Sequence, residues 1–168
     1  MKLPLRGPEL LTETHDVSGF DCGNEALNRF LHRYALQNQR NQSARTYVAM
    51  RGETRVIGYY SLAAASAEYE TVPARIAKGL AQHPIPLTLL ARLAVDQEEQ
   101  GSGVGAGLLK DALKRFLQAQ SIIAARALVV HAKDDQAVEF YKHFGFASSP
   151  LDPYHLYLMT KDIHECLL

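Results

Sequence analysis

The segment that most constrains this chain is Gln100-Gly101-Ser102-Gly103-Val104-Gly105-Ala106-Gly107. Its glycines lie between an apolar run, Ile85 to Val95, and an amphipathic one, Leu108 to Leu117. A glycine-rich loop between a strand and a helix exposes backbone N–H groups at the helix N-terminus, where the dipole also favours anions. Such a loop reads as a diphosphate cradle. Two familiar cradles do not fit. A dinucleotide fingerprint follows the first strand of a βαβ unit and needs an acidic residue about 20 positions on. Here the loop follows a central strand, and residues 120–126 carry no carboxylate. A Walker loop needs Gly-Lys-Ser/Thr, and no lysine occupies this one.

The length of 168 residues predicts one domain, 1–168, with a substantial core. Charge cancels, 18 basic against 18 acidic residues, so the overall balance argues for no polyanionic partner. Its distribution is less even. Between Ala26 and Arg55, Arg29, Arg33, Arg40, Arg45, Arg51 and Arg55 face a single acidic residue, Glu53. Two cysteines, Cys22 and Cys166, cannot make a disulfide framework or a four-thiolate metal site, and they read as packing or surface residues. No metal is expected. With no signal-like start and no apolar run near 20 residues, the chain is expected in the cytoplasm, with no membrane partner.

Periodicity supplies the order of elements. Leu10 to His15 reads as a first strand, and Glu25 to Gln39 as an amphipathic helix with Leu27, Phe30, Leu31, Tyr34 and Ala35 on its apolar side. Asp21 or Asn24 can cap it. At roughly 100° per residue, Arg29, Arg33 and Arg40 form one stripe away from that side, either a solvated face or a phosphate-tracking surface. Thr46 to Met50 and Val56 to Leu62 read as a hairpin turning at Arg51-Gly52-Glu53-Thr54. A short helix near Ala74 to Leu80, a buried strand from Leu87 to Asp96 and a helix from Gly103 to Gln118 follow. Ala127 to His131 (strand), Asp135 to Phe144 (helix) and Tyr154 to Thr160 (strand) complete the chain. A hairpin half and an alternating half indicate an α/β chain with a mixed sheet.

The spacing that does fit the loop is Gln-x-x-Gly-x-Gly, met by Gln100, Gly103 and Gly105. With the preceding strand Leu90-Ala91-Arg92-Leu93-Ala94-Val95-Asp96, it resembles the acetyl-CoA motif of the GNAT N-acetyltransferases. Asp134-Asp135-Gln136-Ala137-Val138-Glu139-Phe140-Tyr141-Lys142-His143-Phe144-Gly145-Phe146 resembles that family's Asn-x-x-Ala-x-x-Phe-Tyr-x-x-x-Gly-Phe segment. It departs at its first position, where Asp134 stands for the usual Asn. Phe20 to Leu31, Arg45-Thr46-Tyr47-Val48, Gly58-Tyr59-Tyr60-Ser61-Leu62, Pro84-Ile85-Pro86 and Val130 to Asp134 extend the likeness. These are similar to the acetyltransferase toxins of bacterial type II toxin–antitoxin operons, over nearly the whole chain.

The resemblance implies a GNAT fold: a central mixed, mostly antiparallel twisted sheet flanked by helices and splayed at the acetyl-CoA site. It implies that Leu93, Ala94 and Val95 bind pantetheine and polarise the thioester through their backbone. Gln100, Gly101, Ser102, Gly103, Val104, Gly105 and Ala106 would cradle the pyrophosphate, with Asp134 and Phe140 completing the acetyl-CoA contacts. Tyr141 matches the tyrosine that protonates the leaving thiolate, and no general base stands out among Asp96, Glu68, His131 and His143. The implied acceptor is the α-amine of aminoacyl-tRNA, whose acetylation stops translation. Arg29, Arg33, Arg40, Arg45, Lys78 and Arg92 are its candidate contacts. A ribbon-helix-helix antitoxin and a homodimer are the implied partners. Two other readings are a GNAT acting on a small amine or protein N-terminus, and a non-catalytic acyl-CoA-binding or interaction module.

Overall fold

Alternating apolar residues, punctuated by glycine and proline, build seven strands with flanking helices. The computed structural model describes residues 2–166. The chain opens with β1 (Leu5–Leu10), then α1 (Glu25–Arg29), a π-helical stretch (Phe30–Tyr34) and α2 (Ala35–Arg40). Next come β2 (Arg45–Arg51), β3 (Arg55–Ala67), a 3-10 turn (Tyr69–Thr71), α3 (Ala74–Ala77) and β4 (Ile85–Val95). A second 3-10 turn (Gln97–Glu99) leads to α4 (Val104–Ala119), β5 (Ala127–His131) and α5 (Asp135–His143). The chain then adds β6 (Ala147–Ser148), β7 (His155–Met159) and α6 (Thr160–Cys166). The strand order is β1-β2-β3-β4-β5-β7-β6. Pairs β1–β2, β2–β3, β5–β7 and β6–β7 are antiparallel, and β4–β5 is parallel. The sheet is thus mixed and mostly antiparallel, as expected.

The chain clusters into two compact units. The first comprises Met1–Ala63 with Ala91–Ala112. Its core joins Leu11, Phe20, Phe30, Leu31, Val48, Met50 and Tyr59. Tyr59 is fully buried between the Phe20 and Phe30 rings, and its hydroxyl donates to the Leu27 carbonyl at 2.6 Å. Burying an aromatic body while satisfying its polar tip is what makes such a tyrosine a core residue. Gly58 leaves room for α4: a Cβ there would stand 3.0 Å from Leu108 Cδ1 and 3.3 Å from Val104 Cγ1.

The second unit comprises Ala64–Leu90 with Leu113–Leu168. Its core gathers Val72, Ile76, Ile85, Leu87, Ala127, Val129 and Tyr157. Arg126 ties α3 down, its guanidinium donating to the carbonyls of Ile76 and Lys78 at 2.9 and 3.1 Å. Arg75 closes on Asp162 through two bonds of 2.7 and 3.0 Å. The parallel register pairs Leu87–Leu90 with Ala127–Val130.

Several boundaries move. The first strand is Leu5–Leu10, not Leu10–His15. Residues 12–15 instead turn, because the Thr12 N–H donates to His15 Nδ1 at 2.9 Å and Thr14 N–H to Thr12 Oγ1 at 3.3 Å. Local side-chain bonds of this kind compete with a sheet ladder. The Glu25 to Gln39 helix is interrupted by its π-helical stretch. Helix α6 and the two-residue β6 were not expected, since each is too short to show a period. The side chain of Cys166 lies outside the described residues, so its expected packing role has no structural account.

Candidate acyl-transfer site

The glycine loop is built from both its ends. Asp96 follows β4 directly and is buried. Its carboxylate accepts from the Glu98 N–H at 2.9 Å, capping the 3-10 turn, and from the Asp21 N–H at 3.1 Å. The Gln97 N–H returns a bond to the Asp21 carbonyl at 2.9 Å. Asp21 in turn accepts from the Gly23 N–H and the Asn28 amide, both at 2.9 Å, which holds its carboxyl below the usual carboxylate range. Asp96 is therefore an anchor between two loops. Each of its oxygens accepts one backbone N–H, a structural use for a buried carboxylate.

Gln100 continues the same bracing. Its amide Nε2 donates to the Val95 carbonyl at 2.9 Å and to the Cys22 carbonyl at 3.2 Å. The side chain thus stitches the loop to the end of β4, leaving the backbone to face a ligand. Ser102 closes the turn by donating from Oγ to the Glu99 carbonyl at 2.6 Å. Gly101 and Gly103 have φ of +80° and +91°, a conformation other residues rarely adopt, and a Cβ at either would meet nothing within 4 Å. The Gly107 N–H makes the first helical bond, to the Gly103 carbonyl at 3.0 Å. The N–H groups before it, through Val104, Gly105 and Ala106, have no carbonyl one turn back. Unpaired donors at a helix start suit the pyrophosphate of an acyl-CoA.

Beneath this loop lies an ion pair that sequence reading missed. Glu99 is buried, and its carboxylate accepts from Arg51 Nε and Nη2 at 3.1 and 3.0 Å, with Lys2 Nζ at 3.7 Å. The bonds from Arg51 hold the Glu99 carboxyl below its ordinary range. Arg51 and Glu99 lie 48 positions apart, so no local pattern announces them.

In the second unit, the carboxylate of Asp134 accepts from the Ala137 N–H at 2.8 Å and so caps α5. The substitution of Asp for Asn keeps that capping role, because both side chains accept from the first turn. Helix α5 buries Val138 and Tyr141. The Tyr141 ring sits edge-on to Phe140 and Phe146, with centroids at 5.2 and 5.4 Å. Burial pushes its phenol well above the ordinary value. Its hydroxyl makes no hydrogen bond among the described residues, so its proton is uncommitted to the protein. His131 and His155 stack at 4.0 Å, and burial first, then His155, lowers the His131 pKa. His143 and Glu68 are exposed.

The arginines are brought together only in part. Arg29, Arg33, Arg40 and Arg45 are exposed in the first unit, whereas Lys78 belongs to the second. Arg40 pairs with Glu13, Arg29 lies 4.0 Å from Glu25, and Arg45 donates to the Gln42 amide oxygen at 2.9 Å. The Arg92 guanidinium lies 3.7 Å above the centre of the Phe30 ring. Of these six basic residues, neither Arg33 nor Lys78 makes such a side-chain contact among the described residues.

No helix among the described residues is long and apolar enough to cross a membrane. The family model described as an acetyltransferase (GNAT) domain matches residues 14–154. A tRNA-acetylating toxin of Mycobacterium tuberculosis is 42% identical over 155 residues, 92% of either chain. The structure of AtaT complexed with acetyl-methionyl-tRNAfMet superposes with a TM-score of 0.89 at 32% identity, covering 98% of this chain and 100% of that one. A tyrosine-to-phenylalanine mutant of KacT gives 0.87 at 30% identity, covering 98% and 99%. An AtaT mutant bound to the C-terminus of the antitoxin AtaR and acetyl-CoA gives 0.81 at 32%, covering 96% and 97%.

Proposed function

This chain belongs to the GNAT acetyltransferase family, and from that premise we propose that it is the toxin of a type II toxin–antitoxin pair, acetylating the α-amine of aminoacyl-tRNA and thereby blocking translation. The observation that carries the reading is the helix-start loop, braced by Gln100 and Asp96 and with Gly101 and Gly103 at positive φ, in a chain alike over nearly its full length to tRNA-acetylating proteins. Acetyl-CoA supplies the activated thioester. The backbone of Leu93, Ala94 and Val95 would orient and polarise its carbonyl, a contribution of roughly 3 kcal/mol per well-placed donor. Residues Gln100 to Ala106 would hold the pyrophosphate, with Asp134 and Phe140 on the α5 side of the acetyl-CoA contacts.

Tyr141 is the proposed general acid. As the amine nitrogen bonds to the acyl carbon and the C–S bond breaks, the thiolate needs a proton. A phenol is protonated at neutral pH with or without the upward push of burial, so Tyr141 has a proton to give. The tyrosinate left behind recovers one from the attacking nitrogen as it becomes an amide. The amine needs little help. An α-amine has a pKa of about 8, so a useful fraction is neutral near pH 7, whereas a lysine amine at about 10.4 is almost wholly charged. That difference favours an α-amine acceptor without a dedicated base.

Arg29, Arg33, Arg40 and Arg45 are proposed to meet the tRNA backbone, with Arg92 and Lys78 as lesser contacts. We read residues 1–168 as one GNAT domain, acting in the cytoplasm as a homodimer and neutralised by a ribbon-helix-helix antitoxin. Incubation with labelled acetyl-CoA and bulk charged tRNA tests the function. Label is expected on the aminoacyl moiety, released by mild base with the amino acid. Absence of label from every aminoacyl-tRNA would refute it.

A further inference from the structure

We propose that a cavity beside the first unit's helical run is a subsite for a single unstacked nucleotide of the bound tRNA, the base lying on its apolar wall and the phosphate on Arg33. This rests on the tRNA reading above and adds a pocket to it. The cavity measures about 400 Å³, within the roughly 300–1,000 Å³ typical of small-ligand sites. Leu11, Val17, Leu31 and Leu36 line it on the apolar side, with Arg33 and Arg40 among its polar residues. Leu11 and Leu31 belong to the buried core, so that wall is rigid.

The polar groups there differ in what they are free to do. His15, also at the cavity, accepts from the Thr12 N–H at Nδ1 (2.9 Å), so its Nε2 carries the proton and donates to Glu9 at 2.8 Å. Those two bonds hold its flat ring in place. Arg40 is held by Glu13. Of the two guanidinium groups lining the cavity, Arg33 is the one without an ion pair among the described residues. One uncommitted cation next to an apolar wall and a flat ring matches an amphiphile with one anion and one π-face. A nucleotide is such a molecule, since bases stack on apolar surfaces and guanidinium groups bind phosphate. The cavity also borders the Arg29–Arg45 stretch assigned to the tRNA backbone, where a splayed nucleotide would be at hand.

Two measurements test this. In the first, methyl-labelled protein is titrated with 5′-AMP and 5′-CMP. Saturable shifts at the Val17, Leu31 and Leu36 methyls are expected, weakened about fivefold or more in Arg33→Ala. In the second, Leu36→Trp fills the cavity, and the KM for charged tRNA is expected to rise about tenfold while acetyl-CoA affinity holds. Should Leu36→Trp fold poorly, Arg33→Ala, at an exposed position, carries the kinetic test. Methyls unmoved by either nucleotide, or an unchanged KM in a folded cavity-filled variant, overturn the proposal. A variant that keeps its KM but loses the antitoxin would assign the cavity to a peptide and overturn it equally. If the unaltered protein labels no charged tRNA, the proposed function fails, and the nucleotide titration alone decides the cavity.

Discussion

At the residue scale, chemistry depends on which groups are already spent. Gln100, Asp96 and Asp134 have side chains that could bind a ligand, yet each is engaged by the protein's own backbone. Tyr141 is the opposite case: deeply buried, packed on Phe140 and Phe146, with its hydroxyl uncommitted. Replacing it by phenylalanine keeps the ring packing and removes only the proton donor. Tyr141→Phe is therefore expected to lower kcat by about 10²-fold or more with little change in Tm or in the KM for acetyl-CoA. Steady-state acetylation kinetics beside a thermal melt check it, and near-normal turnover would strip Tyr141 of its role. The residue types of the two motifs were legible in the sequence. Their hydrogen-bond partners were not, because Cys22 and Gln100 are 78 positions apart.

Elements show where periodicity serves and where it fails. Helix α4 obeys its pattern: Leu108, Leu109, Ala112, Leu113 and Phe116 are all buried, at the three- and four-residue spacing that wraps one face. The first helical run breaks the pattern, since Phe30–Tyr34 is π-helical and advances by a different angle per residue. The apolar spacing of Leu27, Phe30 and Leu31 does not distinguish the two. Between elements, the junction of β4 with the glycine loop depends on one carboxylate. Asp96→Ala leaves the N–H groups of Asp21 and Glu98 without their acceptor, and stability should fall by about 2 kcal/mol, read as a drop in Tm of roughly 4–8 °C. Retention of the native Tm would show that the two loops do not rely on this anchor.

For the molecule as a whole, pH is the informative variable. The carboxyl of Glu99 is held below its ordinary range by the bonds from Arg51. A group depressed on folding stabilises above its unfolded pKa, and that stability is lost as pH falls through the folded one. His131 is also lowered, chiefly by burial, so the unfolded chain takes up its proton first as pH drops below about 6.5. Both effects have the same sign. Stability should thus decline on acidification in two stages, the first below the histidine range and the second below the carboxylate range. Denaturant midpoints measured from pH 8 to 3.5 test this. His131→Gln should remove the first stage, and a midpoint independent of pH would contradict both assignments.

Local information determined much of this protein. The glycine loop, the Phe140-Tyr141 pair of α5, the α4 stripe and most of the order of strands and helices are each written within a few residues, because propensity and periodicity act over one or two turns. The family and its acetyl donor follow from those segments. Tertiary structure alone decided the rest. The Arg51–Glu99 pair, the Asp96 anchor, the service of Gln100 as a brace and the cavity bounded by Leu11 and Leu36 depend on contacts between distant segments. The physical reason is that a side chain's vacancy is set by its neighbours in space. The glycine loop could be recognised from its sequence, but only the fold shows which of its atoms remain available to a ligand.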